Sequence, residues 1–293
     1  MRTVSYALLV AALLASPQMA AAQSIDAGRG DVALTVPASY SRETATPLIV
    51  LLHGFGSSGD GQDEYMKFSA LVDTYGFILA TPDGTAAEGD VFGMKNPRFW
   101  NATKACCNFG GMAVDDSTYL SGLIDKIKAV YRIDDKRVFL VGHSNGGFMS
   151  YRLARDHPAT IAAIVSLAGA DDPEAPATTA NPVHVLQIHG TADETISYGG
   201  GDIQGVGSYT GAERTVEGWA TRNGCDASGM DVGTVDLVGT LEGPETSITR
   251  YTSSCQVGGS AELWTIAEGS HVPGLSEHFS PLVVEWLMGH PKP

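Results

Sequence analysis

The apolar run Arg137-Val-Phe-Leu-Val141 stops abruptly at Gly142-His-Ser-Asn-Gly146, and Phe148, Met149 and Leu153 then resume at helical spacing. Val138 to Val141 follow one another without polar alternation, which predicts a strand buried on both faces. A strand that becomes a helix within one residue forces the residue between them, Ser144, into a strained backbone conformation. Gly142 and Gly146, two before it and two after, keep Cβ atoms out of that crowded turn, which is why such an elbow is spelled G-x-S-x-G. The turn lifts the Ser144 hydroxyl clear of the sheet as a candidate nucleophile. The Asn145 N–H, at the helix start, aims at the same spot.

Other apolar strands are expected at Pro47–Leu52, Phe77–Ala80, Ile161–Ala168, Val183–Ile188 and Ala261–Ala267, with an alternating edge strand within residues 31–40. Helical spacing predicts helices over Asp63–Tyr75, stopped by Gly76, from Asp115 to Val130, over Ala212–Ala220, and over Phe279–Leu287. Tyr119, Leu120, Leu123, Ile124, Ile127 and Val130 form the core face of the second, whose leading Asp115 and Asp116 cap free amides. This alternation implies an α/β fold with a mostly parallel sheet and helices on both faces. Residues 81–114 lack periodicity and carry Trp100, Asn101, Cys106 and Cys107; a loop of that length is read as one wall of a substrate cleft. The glycine-rich stretch 198–211 is expected to resist fixed structure and to form a mobile rim.

In such a sheet functional groups lie beyond the carboxyl ends of strands. His53-Gly-Phe-Gly56 ends the first apolar strand, where Gly54 permits a turn and the Phe55 N–H supplies a second oxyanion donor beside Asn145. Asp193, in His189-Gly-Thr-Ala-Asp-Glu-Thr195, and His271, in Glu268-Gly-Ser-His-Val-Pro-Gly274, occupy two further strand-end loops. The order Ser144, Asp193, His271 is that of an α/β-hydrolase. Rivals fit worse: His189 begins the Asp193 loop, His157 precedes Pro158, and Asp171, Asp172 and Glu194 are the competing acids. His53, His143, Trp100 and Val272 are placed around the substrate cleft. The Asn145 side chain is expected to matter less than its amide.

Residues 1–22 read as a signal peptide: one positive charge, an apolar run too short to span a bilayer, Ser16-Pro17, and Ala20-Ala-Ala22 for cleavage. Residues 23–293 are then one catalytic domain, exported and soluble. The formal charge of −15, near −16 once Arg2 is gone, repels nucleic acid and anionic membranes. Neither is expected as a partner, and a monomer is expected. Four cysteines allow three connectivities in an exported chain. We pair Cys225 with Cys255; Cys106 and Cys107 then form a vicinal bridge or stay reduced, and crossed pairing is the third option. Neither the C-x₂-C nor the H-x₃-H spacing of a metal site is present.

With these residues assembled, the chain resembles the exported esterases grouped with polyhydroxybutyrate depolymerase catalytic domains, feruloyl esterases and acetylxylan esterases. The likeness spans nearly all of residues 23–293. It rests on His53-Gly54, Phe99-Trp-Asn101 with Cys106-Cys107, Val114-Asp-Asp116, Gly142-His-Ser-Asn-Gly-Gly147, His189-Gly-Thr-Ala-Asp193, Asn223-Gly-Cys225 and Gly269-Ser-His-Val-Pro-Gly274. The resemblance implies an α/β-hydrolase fold, a triad of Ser144, Asp193 and His271, oxyanion amides at Phe55 and Asn145, a Cys225–Cys255 disulfide, and no cofactor. It implies hydrolysis of feruloyl or acetyl esters of plant polysaccharide, or of hydroxyalkanoate oligomers or polyester. Val272 departs from the pattern, since family members often carry an aromatic residue there, and no substrate-binding module is read after the domain. A serine peptidase of the prolyl-oligopeptidase type and a catalytically silent binding protein on the same scaffold are the alternatives.

Overall fold

Hydrophobic patterning resolves into a twisted sheet with cores on both faces. The computed structural model describes residues 21–174, 181–203, 205–226 and 228–293. In chain order its strands are β1 (Ala21–Asp26), β2 (Asp31–Val36), β3 (Thr46–Leu52), β4 (Ile78–Thr81), β5 (Thr85–Ala86), β6 (Asp90–Val91), β7 (Met94–Lys95) and β8 (Arg98–Phe99). They continue as β9 (Ile133–His143), β10 (Ala163–Leu167), β11 (His184–Gly190), β12 (Gly200–Asp202), β13 (Ser208–Thr210), β14 (Met230–Val235), β15 (Thr246–Tyr251) and β16 (Ser260–Ile266). The helices are α1 (Gly59–Met66), α2 (Val72–Tyr75), α3 (Asp116–Val130), α4 (Asn145–Asp156), α5 (Ala212–Arg222) and α6 (Phe279–Met288).

The main sheet has ten strands in the order β1-β2-β4-β3-β9-β10-β11-β16-β15-β14. From β4 to β16 every neighbouring pair is parallel, and antiparallel strands extend both edges. Side chains alternate between the faces as a strand's period of two requires. Leu48, Val50, Leu52, Val138 and Leu140 join one core with α3, α4 and α5. Ile49, Leu51, Phe139 and Val141 join the other with Met66, Val72 and α6. Among the described residues no helix is long and apolar enough to cross a membrane. The signal-peptide reading falls outside the described residues except at Ala21 and Ala22, which open β1.

Four expectations need correction. The helix predicted over Asp63–Tyr75 is broken: Lys67 turns left-handed (φ 58°) and its N–H closes on Asp63 O, while the Asp63 carboxylate accepts the Ser69 N–H. Phe68 thereby drops fully into the core, and α2 restores the apolar spacing until Gly76 (φ 68°) caps it. Val130, expected on the core face of α3, is exposed. Residues 81–114, read as a long loop, hold two short antiparallel pairings, β5–β8 and β6–β7. The glycine-rich stretch forms a hairpin of β12 and β13, anchored by buried Tyr209, whose hydroxyl accepts the Ser197 N–H and whose ring packs edge-on against Phe148.

Both disulfides, Cys225–Cys255 and the vicinal Cys106–Cys107, are present. The first ties the end of α5 to the turn after β15.

Candidate active site

The elbow is built as its glycines require. Ser144 sits at φ 52°, ψ −118° between β9 and α4, and its N–H donates to Leu167 O on the next strand. A Cβ on Gly142 would lie 2.1 Å from Gly146 O, and one on Gly146 would lie 2.1 Å from Leu52 O. No side chain fits either place. The strain at Ser144 is held by this close packing of β9, α4 and β3.

The ends of β11 and β16 bring the other two residues to it. His271 Nε2 lies 2.9 Å from Ser144 Oγ, and His271 Nδ1 lies 2.8 Å from Asp193 Oδ2. The two loops are laced together: Ala192 N–H donates to Gly269 O, and Glu268 N–H donates to Thr191 Oγ1. Asp193 is buried, and its Oδ1 accepts the Thr195 and Ile196 N–H groups, each at 2.9 Å. Burial alone would raise its pKa. Hydrogen bonds from His189 and His271 outweigh that and hold the carboxyl well below the usual carboxylate range.

His189, set aside on sequence grounds, is a neighbour of that carboxylate. Gln187 Nε2 donates to His189 Nδ1, which leaves the proton on Nε2 to be shared between Ile196 O at 2.8 Å and Asp193 Oδ2 at 3.3 Å. His143 is buried and its pKa is pushed down to about 4, chiefly by desolvation and against the opposing bond to His271 O. Neutral at pH 7, it donates from Nε2 to that carbonyl at 2.9 Å and so holds the His271 backbone. The Tyr65 hydroxyl secures the same loop by donating to Pro273 O.

The second strand end abuts the elbow: a Cβ on Gly54 would meet His143 Nδ1 at 3.2 Å and Ser144 Cβ at 3.5 Å. Among the described residues neither the Phe55 nor the Asn145 N–H donates a hydrogen bond, which leaves both available beside Ser144. The Asn145 side chain is more than a bystander. Fully buried, it accepts the Trp100 N–H on Oδ1 and donates from Nδ2 to Trp100 O, which ties the 81–114 segment to the elbow.

Two residues placed at the cleft from sequence do not line it. Trp100 is fully buried, its Nε1–H donating to His53 O. His53 is also fully buried, accepting the Gly84 N–H on Nε2 and donating from Nδ1 to Gly54 O. Both satisfy backbone groups where the 81–114 segment crosses the sheet end. His143 and Val272 do border the site. Of the rival acids, Asp171 pairs with Arg155 and accepts the Trp219 Nε1–H, whereas Glu194 stands in the cleft wall.

Ser144 and His271 open into a cleft of about 550 Å³. Its apolar wall is supplied largely by the 81–114 segment, as expected, and is an aromatic trio whose individual rings the sequence did not single out: Phe55 and Phe109 lie 5.3 Å apart edge-to-face, and Phe92 and Phe109 lie 4.9 Å apart. Phe92 and Met94 come from the β6–β7 hairpin, and Cys106–Cys107 and Ile203 complete the surface. No periodicity marks these residues. Among the described residues no cluster of His, Cys, Asp or Glu could hold a metal ion.

The sheet order and the strand-end elbow define an α/β-hydrolase. Residues 38–203 match the family described as Phospholipase/Carboxylesterase (Abhydrolase_2), and the chain belongs to it. It is 28% identical over 174 residues to the bifunctional acetylxylan esterase/xylanase XynS20E of Neocallimastix patriciarum, covering 59% of this chain and 22% of that protein. It is 25% identical over 251 residues to feruloyl esterase B of Piromyces equi, covering 83% of this chain and 42% of that protein. The chain thus spans less than half the length of these relatives. The acetyl xylan esterase of Aspergillus awamori shares the fold with a TM-score of 0.63 at 17% identity, over 92% of this chain and 99% of that one.

Proposed function

We propose that this protein is a serine esterase that hydrolyses carboxylic esters through an acyl-enzyme. The observation that carries the reading is the continuous line from Ser144 Oγ through His271 to Asp193, at 2.9 and 2.8 Å, opening on an apolar cleft. His271 Nε2 takes the proton as Ser144 Oγ attacks the ester carbonyl carbon, and the carbonyl electron pair moves onto oxygen between the Phe55 and Asn145 amides. Collapse of that intermediate expels the alcohol, which leaves with the proton from His271. Water, deprotonated by the same imidazole, then releases the carboxylic acid and restores Ser144. Asp193 keeps the His271 proton on Nδ1 and balances the imidazolium. No cofactor takes part.

The aromatic trio supports substrates with an apolar or planar portion, and the names of the relatives support acetyl or feruloyl esters; hydroxyalkanoate oligomers rest on the sequence resemblance alone. Two disulfides support an exported protein. The test is Ser144→Ala assayed on a chromogenic short-chain ester. Turnover is expected to fall by at least about 10⁴-fold; turnover like that of the unaltered protein overturns the reading. A panel of methyl ferulate, acetylated xylan and hydroxybutyrate oligomers then ranks the substrate classes.

A further inference from the structure

Ser144 and His271 border two lobes of different chemistry. One is the aromatic cleft. The other, about 350 Å³, lies across the elbow and is lined by Gly54, Gln62, Tyr65 and His143. Gln62, from α1, is only 2% exposed. Its orientation is fixed by its neighbour: the Gly54 N–H needs an acceptor and donates to Gln62 Oε1 at 3.2 Å, so the other end of the amide is Nε2 with its two donors. Among the described residues that Nε2 is buried without a hydrogen-bond partner. Of the other polar side chains that line the lobe, Tyr65 donates to Pro273 O and His143 to His271 O.

A buried amide donor without a partner is costly, and a site built around one discriminates against any ligand that brings no acceptor to it. We propose that Gln62 Nε2 is a specificity-determining donor. It binds an ether, carbonyl or hydroxyl oxygen on the half of the ester that occupies this lobe, and so selects oxygen-bearing esters over alkyl esters of the same shape. The inference rests on the esterase reading above and deepens it.

Two matched pairs separate the acyl from the alcohol half: 4-nitrophenyl 3-methoxypropanoate against 4-nitrophenyl pentanoate, and 2-methoxyethyl acetate against butyl acetate. Each ether oxygen accepts but cannot donate. Gln62→Glu keeps an acceptor for the Gly54 N–H and removes the Nε2 donors; Gln62→Met is a neutral second variant. In one pair, the ratio of kcat/KM for the ether ester to that for the alkyl ester is expected to fall about tenfold in both variants. A residue that only supports Gly54 would lower both members together and leave the ratio unchanged. Unchanged ratios in both pairs, with Ser144-dependent hydrolysis intact, overturn the inference alone. Absence of Ser144-dependent hydrolysis on all four esters overturns the esterase reading and the inference with it.

Discussion

Asp193 divides its two oxygens between two kinds of donor. Oδ1 takes backbone N–H groups from Thr195 and Ile196, and Oδ2 takes imidazoles from His271 and His189. Asp193→Asn is therefore a sharp test. The amide oxygen would stay with the two backbone donors, and the NH₂ would face His271 Nδ1 and the His189 Nε2–H. To accept from that NH₂, His271 must move its proton to Nε2, where it can no longer take one from Ser144. We expect kcat on a short-chain ester to fall about 10⁴-fold with the fold retained; a loss under tenfold would remove Asp193 from the mechanism. Ser144, Asp193 and His271 were legible in the sequence because each follows an apolar strand within a glycine-marked loop. Gln62, His189 and the aromatic trio were not, because their roles depend on which loops meet, and no local spacing encodes that. His53 and Trp100 misled for the converse reason: residues beside a site often serve the backbone that shapes it.

At the scale of elements, the parallel strands were readable as unbroken apolar runs, since both faces are buried. β14 and β15 were not: the first, at the edge, is mostly exposed, and the second alternates, as a strand of an antiparallel extension with one face towards water does. Their attachment is covalent as well as hydrogen-bonded. Asn223, at the end of α5, donates from Nδ2 to Val183 O and Ser260 O, and its own carbonyl accepts the Gln256 N–H, while two residues on Cys225 bonds Cys255. Removing a bridge between residues 30 apart is expected to cost about 3–4 kcal/mol in the chain-entropy picture. The double replacement Cys225→Ser with Cys255→Ser should lower the urea midpoint accordingly, while ester turnover persists wherever the chain is folded. The vicinal pair closes far too short a loop for a comparable effect, so Cys106→Ser with Cys107→Ser should shift the midpoint much less. Equal shifts would mean that chain entropy is not how the first bridge acts.

For the molecule as a whole, the histidines decide how stability responds to pH. His53 and His143 are buried and neutral, and desolvation, the largest influence on each, lowers both pKa values, that of His143 to about 4. His184, partly exposed, is lowered in the same sense to about 3. A histidine whose folded pKa lies below its unfolded value of about 6.5 binds a proton more readily when the chain is open. Its stabilising contribution is complete above pH 6.5 and is withdrawn as the pH falls towards the folded value. Asp193 acts with the same sign but later, because its depressed carboxyl titrates below the ordinary carboxylate range. An imidazole that stays neutral in the folded state contributes up to about 1.4 kcal/mol per pH unit, so His143 alone gives a slope approaching about 1.4 kcal/mol per unit below pH 6.5, and His53 adds to it in the same sense. The protonated ring has no place to go: His53 Nε2 accepts the Gly84 N–H, and a proton there would set donor against donor at the crossing that also carries Trp100. Urea unfolding at pH 7 and pH 5 measures this directly, with uptake of up to two protons per molecule expected on unfolding from these two residues. A midpoint that stays flat across that interval would mean that both rings are charged, or hydrated, in the folded protein. The backbone contacts that His53 and His143 make at the mouth of the site would then have to be assigned differently.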